Sequence, residues 1–289
     1  MPTLLDLRQR IRSVRNSQKI TQAMKTVSTA KFRKAQRTVL ESRPYWHLFP
    51  DLVGRVAAWA GRDVHPLFAR REERRIEVVL IASDKGLAGA FNSNLFLRAQ
   101  TFLCEKQAAG VDPRLVVLGK KAVQVFRREP WPIDRSRAEH TDKLEPEEIR
   151  ELGEFLMRLF IFQRTDAVYV VSNEFRSIIA PQLAVVRLLP VAGPDTGAAG
   201  GVAPDWEPEG PVLLRSILPR YVESQLYHAL AESQAAEQAA RMMAMDNATK
   251  NAEELISDLT LFLNKVRQAG ITKELLEIMT AVEALRQEA

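Results

Sequence analysis

Two long stretches almost without glycine, one at each end of the chain, restrict its fold more than any other feature. From residue 4 to about 60, apolar side chains recur every three or four positions, and the first glycine is Gly54. From about 212 to the end, the only glycine is Gly270. Helices of these lengths would be on the order of 80 and 100 Å long, too long to fold onto one small core. We therefore predict that they pair as a long antiparallel coiled coil.

The distribution of charge favours the same pairing. Residues 1–40 contain ten lysines and arginines and one acidic residue, Asp6, whereas residues 221–289 contain six basic and eleven acidic residues. A basic helix and an acidic helix attract each other. A nucleic-acid-binding protein would have the basic end but no need for the acidic one.

The middle of the chain has the pattern of an α/β domain. Three apolar runs of strand length are separated by helical stretches, the first from Ser93 to Ala109 and the second opening at Pro146. The runs are Glu77–Ser83, Leu115–Leu118 and Ala167–Val171. Leu183–Leu189 follows closely and is expected to return as an antiparallel edge strand. The order predicts a Rossmann-like domain.

These patterns divide the chain into three parts. Residues 1–65 and 211–289 are predicted to form the coiled coil, and residues 70–190 the α/β domain. Residues 191–210, rich in Gly, Pro and Asp, are predicted to be a linker. Pro44 is expected to kink or interrupt the first helix.

Composition excludes several classes of protein. No uncharged apolar run approaches the roughly 18 residues of a membrane span. The single cysteine, Cys104, rules out an internal disulfide, and the four histidines lack metal-ligand spacing. We expect no catalytic residues, metal or cofactor.

The glycine loop Ser83–Asn92 follows the first predicted strand, where backbone N–H groups can bind phosphate. Its spacing, however, is only G-x-x-G (Gly86 and Gly89), which matches neither nucleotide-binding fingerprint. We expect these glycines to serve a tight turn and expect no bound nucleotide.

The terminal segments resemble one protein family. Leu7–Asn16 (LRQRIRSVRN) and Gln18–Lys25 (QKITQAMK) are similar to the N-terminal signature of the γ subunit of F-type ATP synthase. Four further segments resemble the C-terminal helix of that family: Leu218–Val222, Ala239–Met245, Asn247–Ala252 and Asn264–Leu275. The loop Ser83–Asn92 resembles the family's loop after its first strand. The likeness extends from residue 4 to about 285.

The sequence departs from the family at three places. The third strand is followed by Ser172-Asn173 where the family often has Tyr-Asn, and the ending Val282–Ala289 is unusually long and charged. The cysteine pair of chloroplast relatives is missing. No transit peptide precedes the first helix, so we expect a bacterial protein on the cytoplasmic side of the inner membrane.

The resemblance implies the function of a rotor shaft without catalytic activity of its own. In the family, the paired helices run through a hexamer of three α and three β subunits. The globular foot contacts the membrane c ring and the ε subunit. Proton flow turns the ring, and the shaft changes the affinities of the β sites.

The resemblance also implies contact residues. Contacts with the α3β3 hexamer are expected at Met24, Lys25, Arg241, Arg267, Gln268 and Thr272. Contacts of the foot with the c ring and ε are expected at Trp206 and Glu207. The residues alone favour a different interpretation of Met24, as an ordinary seam residue that packs on the C-terminal helix. For Arg241, Arg267 and Gln268 the alternative is a solvated face or a pair within the coiled coil.

Two other functions are open at this point. Residues 1–40 could be a basic arm that binds nucleic-acid phosphates, although Phe32 is the only aromatic residue in it. The α/β domain could also belong to a nucleotide-dependent enzyme, which the missing phosphate motifs disfavour.

Overall fold

The terminal helices are the longest elements of the computed structural model. Helix α1 runs from Leu4 to Ala60 and helix α5 from Gly210 to Gln287. The structure describes residues 3–60, 65–138, 145–175, 182–192, 207 and 209–287, with side chains as far as residue 282. Both long helices were predicted from the sequence, and both predictions are confirmed.

The chain divides into two units that share these helices. The coiled-coil unit comprises Met1–Val27 and Met242–Ala289, and the α/β unit comprises Ser28–Arg241. Each unit therefore contains one segment of α1 and one segment of α5.

Local sequence explains where α1 begins, and the helix continues past two prolines. The Thr3 hydroxyl accepts a hydrogen bond from the Asp6 N–H, and the Asp6 carboxylate accepts one from the Thr3 N–H. This reciprocal pair satisfies two N–H groups that would otherwise lack partners. Pro44 and Pro50 both lie inside α1, and the helix passes through them. The predicted interruption at Pro44 is therefore absent, although each proline removes one backbone hydrogen bond.

The α/β unit contains a five-stranded sheet in the order β3-β2-β1-β4-β5. The strands are β1 Arg75–Ile81, β2 Asp112–Leu118, β3 Ile133–Arg137, β4 Ala167–Glu174 and β5 Gln182–Leu189. The intervening helices are α2 Phe91–Ala108, α3 Lys120–Phe126 and α4 Pro146–Ile161. All pairings are parallel except that of β4 with β5. The Rossmann-like fold and the antiparallel edge strand were both predicted, and both are confirmed.

Helix α3, strand β3 and a short 3-10 helix at Pro66–Phe68 were not predicted. Strand β3 has the sequence IDRSR, whose side chains are all at least partly exposed, so it lacks the apolar run that marked the other strands. Helix α3 has only seven residues, too few to show a helical period.

Both faces of the sheet are covered, which explains the continuous apolar runs. On one face, Val79 and Ile81 pack in a cluster with residues of α1, α4 and α5. On the other face, Val78 and Leu80 pack with residues of α2 and α3. At the end of β2, Gly119 lies so close to β1 that a Cβ atom there would be 2.2 Å from the Ala82 carbonyl oxygen. Only glycine fits this position.

Candidate functional site

In the coiled-coil unit, α1 and α5 are joined by a ladder of polar contacts. The Gln18 amide donates to Glu253 at 3.0 Å, and the hydroxyls of Thr21 and Thr249 lie 2.8 Å apart. One turn further, Lys25 Nζ lies 2.6 Å from Asp246 Oδ1. Because the α1 numbers rise while the α5 numbers fall, the helices are antiparallel, as predicted.

Asp246 is the electrostatic centre of this ladder. Its second carboxylate oxygen, Oδ2, also forms an ion pair with Lys250 Nζ at 3.0 Å. The hydrogen bond from Lys25, followed by that from Lys250, lowers the pKa of the Asp246 carboxyl. The carboxylate therefore stays ionised and neutralises part of the basic charge of α1. The family resemblance identified Lys25, but no sequence pattern marked Asp246, whose partner lies 221 positions away in the chain.

The predicted hexamer contacts fall into two groups within the coiled-coil unit. Met24 and Lys25 are half-buried on α1. Arg267, Gln268 and Thr272 are exposed on α5, where the Thr272 hydroxyl donates to the Gln268 carbonyl at 3.0 Å. Gln268 and Thr272, four positions apart, share one face of the helix.

The remaining predicted contacts lie in the α/β unit or close to its linker. Arg241 is buried, with 8% of its side chain exposed. Glu207 is exposed in a bend just before α5. Trp206 lies outside the described residues.

The last part of α5 exposes an unusual number of large apolar side chains. They are Leu261, Ile271, Leu275, Leu276, Ile278, Met279 and Val282, each at least half exposed. Exposed apolar surface of this extent is typical of a protein–protein interface. This face of the helix therefore needs a partner to cover it.

The glycine loop Ser83–Asn92 is held in one conformation by its own polar groups. The side-chain amide oxygen of Asn92 (Oδ1) accepts a hydrogen bond from the Ser83 N–H at 3.2 Å, and the Ser83 hydroxyl donates to the Lys85 backbone carbonyl at 2.7 Å. Leu87 and Gly89 have φ angles of 63° and 57°. A leucine in this left-handed region is strained, so the surroundings must hold it there.

Arg241 closes the loop from the side of α5. Its guanidinium donates to the carbonyls of Lys85 and Gly86 at 3.2–3.3 Å, and to the Glu237 carboxylate at 2.7 Å. The loop therefore turns carbonyl oxygens toward a cation. A phosphate site needs the opposite polarity, with N–H groups toward an anion.

A partly buried polar cluster lies between α1 and α5 in the α/β unit. The Trp46 and His228 rings stack at 3.9 Å, and Trp46 Nε1 donates to the Gln225 amide oxygen at 3.0 Å. Glu232 accepts a hydrogen bond from the Phe175 N–H at 2.8 Å. Burial, with a smaller effect of nearby cations, lowers the pKa of His228 to about 4, so the ring is neutral at pH 7. Sequence analysis missed this cluster because single polar residues in a helix carry no signal of burial.

Neither a metal site nor a membrane span emerges from the part of the chain that the structure describes. No three histidine, cysteine or acidic side chains come together there as metal ligands would. None of its helices has a stretch long and apolar enough to cross a bilayer.

Comparison with known proteins gives a full-length match. The family model described as ATP synthase matches residues 3–285. The ATP synthase gamma chain of Anaeromyxobacter sp. (strain Fw109-5) is 43% identical over 99% of this chain and 100% of its own length. The gamma chain of Pelotomaculum thermopropionicum is 41% identical over the same shares of the two chains.

Solved structures agree in fold. A chain of the Euglena gracilis mitochondrial ATP synthase has a TM-score of 0.67 at 19% identity, and the match covers 98% of this chain and 94% of the other. A chain of the Tetrahymena thermophila mitochondrial ATP synthase, solved as central stalk and c ring, has a TM-score of 0.60 at 22% identity. That match covers 79% of this chain and 99% of the other.

Proposed function

Because the chain belongs to the ATP synthase gamma chain family, we propose that it is the central rotor shaft of an F-type ATP synthase. It transmits torque from the membrane c ring to the catalytic α3β3 hexamer, so that proton flow drives ATP synthesis. The shaft itself is non-catalytic. The observation that carries the proposal is the antiparallel pairing of α1 and α5 in a chain that matches gamma chains from end to end.

The paired helices suit a part that must be stiff along its length. Helix α1 has 57 residues and α5 has 78, and each helix supports the other through the ladder at Thr21 and Lys25. A shaft must also turn against its neighbours. From residue 16 to residue 35, the side chains of α1 are mainly small, polar or basic, so little apolar surface locks one orientation there.

The proposed partners are the α and β subunits around the helices, and the ε subunit and c ring at the foot. The exposed apolar face of α5 from Leu261 to Val282 supports a protein partner on that segment. For contact with the hexamer we propose Met24, Lys25, Arg241, Arg267, Gln268 and Thr272, and for contact at the foot Trp206 and Glu207. Arg241 stays in this set even though its guanidinium is bonded within the chain in this structure.

We propose the same functional division of the chain that its sequence predicts. Residues 1–65 and 211–289 act as the shaft, residues 70–190 as the α/β foot, and residues 191–210 as the connecting segment. Most of that last segment lies outside the described residues.

The chain acts as part of a membrane-associated complex. We propose that it is peripheral and lies on the cytoplasmic side of a bacterial inner membrane, held there through the c ring. The bacterial sources of the similar gamma chains support this placement.

We also propose that the α/β unit binds no nucleotide. The geometry that supports this is the glycine loop, whose carbonyls at Lys85 and Gly86 are occupied by Arg241. Saturable ATP binding by the isolated chain in calorimetry would contradict it.

The test of the rotor function is the native mass of the complex that co-purifies with a tagged copy from its own cells. We expect three α subunits, three β subunits and one copy of this chain. A lone chain, or one that carries nucleic acid removable by salt, would refute the rotor function and favour the basic-arm alternative.

A further inference from the structure

We propose that Arg241 is a positioning residue that fastens helix α5 to the glycine loop, so that helix and sheet rotate together. The proposal rests on the rotor function proposed above. Its basis is that one buried guanidinium bonds two consecutive loop carbonyls, those of Lys85 and Gly86. The loop continues directly from β1, the central strand of the sheet.

The chemistry of the contact suits a fixed register. The planar guanidinium has five N–H donors in a rigid fork, so it holds neighbouring acceptors in one geometry. Glu237, one turn earlier on α5, lies 2.7 Å from the guanidinium and compensates its charge. The side chains of Arg241 and Glu237 are 8% and 13% exposed, so water competes little for these bonds.

The hydrogen bonds of Arg241 to the loop matter because the apolar packing around the loop is formed largely by alanines on the side of α5. Ala88 and Phe91 of the loop segment pack in a cluster with α1 and α5. The α5 contribution consists of alanines alone: Ala231, Ala235, Ala236 and Ala239 are buried there and Ala240 partly so. Alanine side chains allow close approach but present a smooth surface with few interlocking atoms. On this alanine surface, directional bonds therefore add resistance to sliding, and Arg241 makes three of its four hydrogen bonds with the loop.

Hydrogen bonds restrain the conformation of the loop, as the transmission of force requires. Ser83 and Asn92 tie its two ends together, and the Lys85 carbonyl accepts hydrogen bonds from both Ser83 and Arg241. Torque that enters through the sheet therefore reaches this part of α5 through hydrogen bonds as well as alanine contacts, in addition to the apolar packing of the earlier part of α5 against the sheet.

The first experiment measures local opening of the loop in the full chain. Amide hydrogen exchange is compared between the parent and Arg241→Ala across residues 83–92. We expect exchange in the loop to rise roughly tenfold, because hydrogen bonds to a charged donor contribute at least that factor to an opening equilibrium. Exchange in β4 should stay unchanged. Arg241→Lys, which keeps the charge but loses the fork, should give an intermediate rise.

The second experiment measures stiffness in the assembled complex. A bead attached at Cys104, the chain's only cysteine and an exposed one on α2, reports rotation of the α/β unit. The α and β subunits used carry no reactive cysteine. During ATP-waiting pauses, the angular fluctuations of the bead should be wider for Arg241→Ala than for the parent. Arg128→Ala, which removes an exposed arginine of the same unit, is the matched control and should behave as the parent.

Two results would overturn the proposal. One is unchanged loop exchange together with unchanged bead fluctuations. The other is a loss of ATP hydrolysis with unchanged loop exchange, since Arg241 would then act only through the hexamer and would not fasten the loop. Failure of the rotor function itself looks different: the parent bead would not rotate with ATP, while hydrogen exchange would still report on the Arg241 contact.

Discussion

At the scale of single residues, Glu77 is the most unusual group in the molecule. It lies on the central strand β1 with 1% of its surface exposed. Its Oε1 atom makes no hydrogen bond to any residue that the structure describes. Burial, and secondarily the nearby Asp134, raises the pKa of Glu77 to about 8, against the opposing effect of Arg114. The folded chain therefore holds a neutral carboxylic acid at pH 7.

This raised pKa predicts that the free energy of unfolding falls with pH. Between its ordinary pKa of 4.5 and about 8, Glu77 stays protonated in the folded chain but ionises in the unfolded one. Stability is thus lost as pH rises through this window and levels off above it. The loss by pH 8 is at most about 5 kcal/mol, at about 1.4 kcal/mol per pKa unit.

Glu77→Gln replaces the titrating carboxyl group by an amide of nearly the same size and shape. Urea unfolding of the full chain should show the variant more stable than the parent at pH 8 and equal to it near pH 4. Glu105→Gln, which changes an exposed carboxylate of α2, should follow the parent at every pH. Parallel pH profiles for the parent and Glu77→Gln would contradict the assignment.

At the scale of elements, the C-terminal end of helix α4 shows a sharp change from buried to exposed side chains. Phe160 is fully buried beneath the sheet, whereas Phe162, two positions later, is 71% exposed. Phe160→Ala should lower the free energy of unfolding by about 3–5 kcal/mol, the usual cost of a cavity of that size. Phe162→Ala, the matched control, should change it by less than about 0.5 kcal/mol. Denaturant unfolding of both variants measures this, and equal effects would contradict the burial of Phe160 and the exposure of Phe162.

Elements with a long or continuous pattern could be predicted from the sequence. The 57 residues of α1 contain one glycine, and β1 and β4 are apolar on both faces, so length and composition identify them. Strand β3 could not be predicted, because its five residues are mostly polar and owe their conformation to pairing with β2.

The candidate site was predictable only in part, for a different reason. The family signature identified Lys25 and Arg241, but not the groups that they contact within the chain. Lys25 pairs with an aspartate 221 positions away, and Arg241 with backbone carbonyls 155 and 156 positions away. A backbone carbonyl is present at every residue, so no sequence pattern marks the ones that accept a hydrogen bond.

At the scale of the whole molecule, the rotor function predicts the effect of a charge at Met24. This residue is half-buried on α1 beside Lys25, in a segment that is already strongly basic. Met24→Lys adds a second cation next to the Lys25–Asp246 pair and replaces an adaptable apolar side chain. The fold should survive, because Met24 is not enclosed in a core. The added charge should, however, make the contacts with the hexamer more favourable at some rotational angles than at others.

We therefore expect Met24→Lys to assemble into the complex and to hydrolyse ATP, but to pump fewer protons per ATP. Reconstituted vesicles measure both quantities: ATP hydrolysis in solution and acidification inside the vesicle. Ala30→Lys, an exposed position of the same helix, is the matched control and should keep the parent ratio. Proton pumping by Met24→Lys at the parent ratio would show that Met24 only packs within the coiled coil. A loss of assembly would show instead that its role is in the fold, because torque transmission requires a complex that forms first.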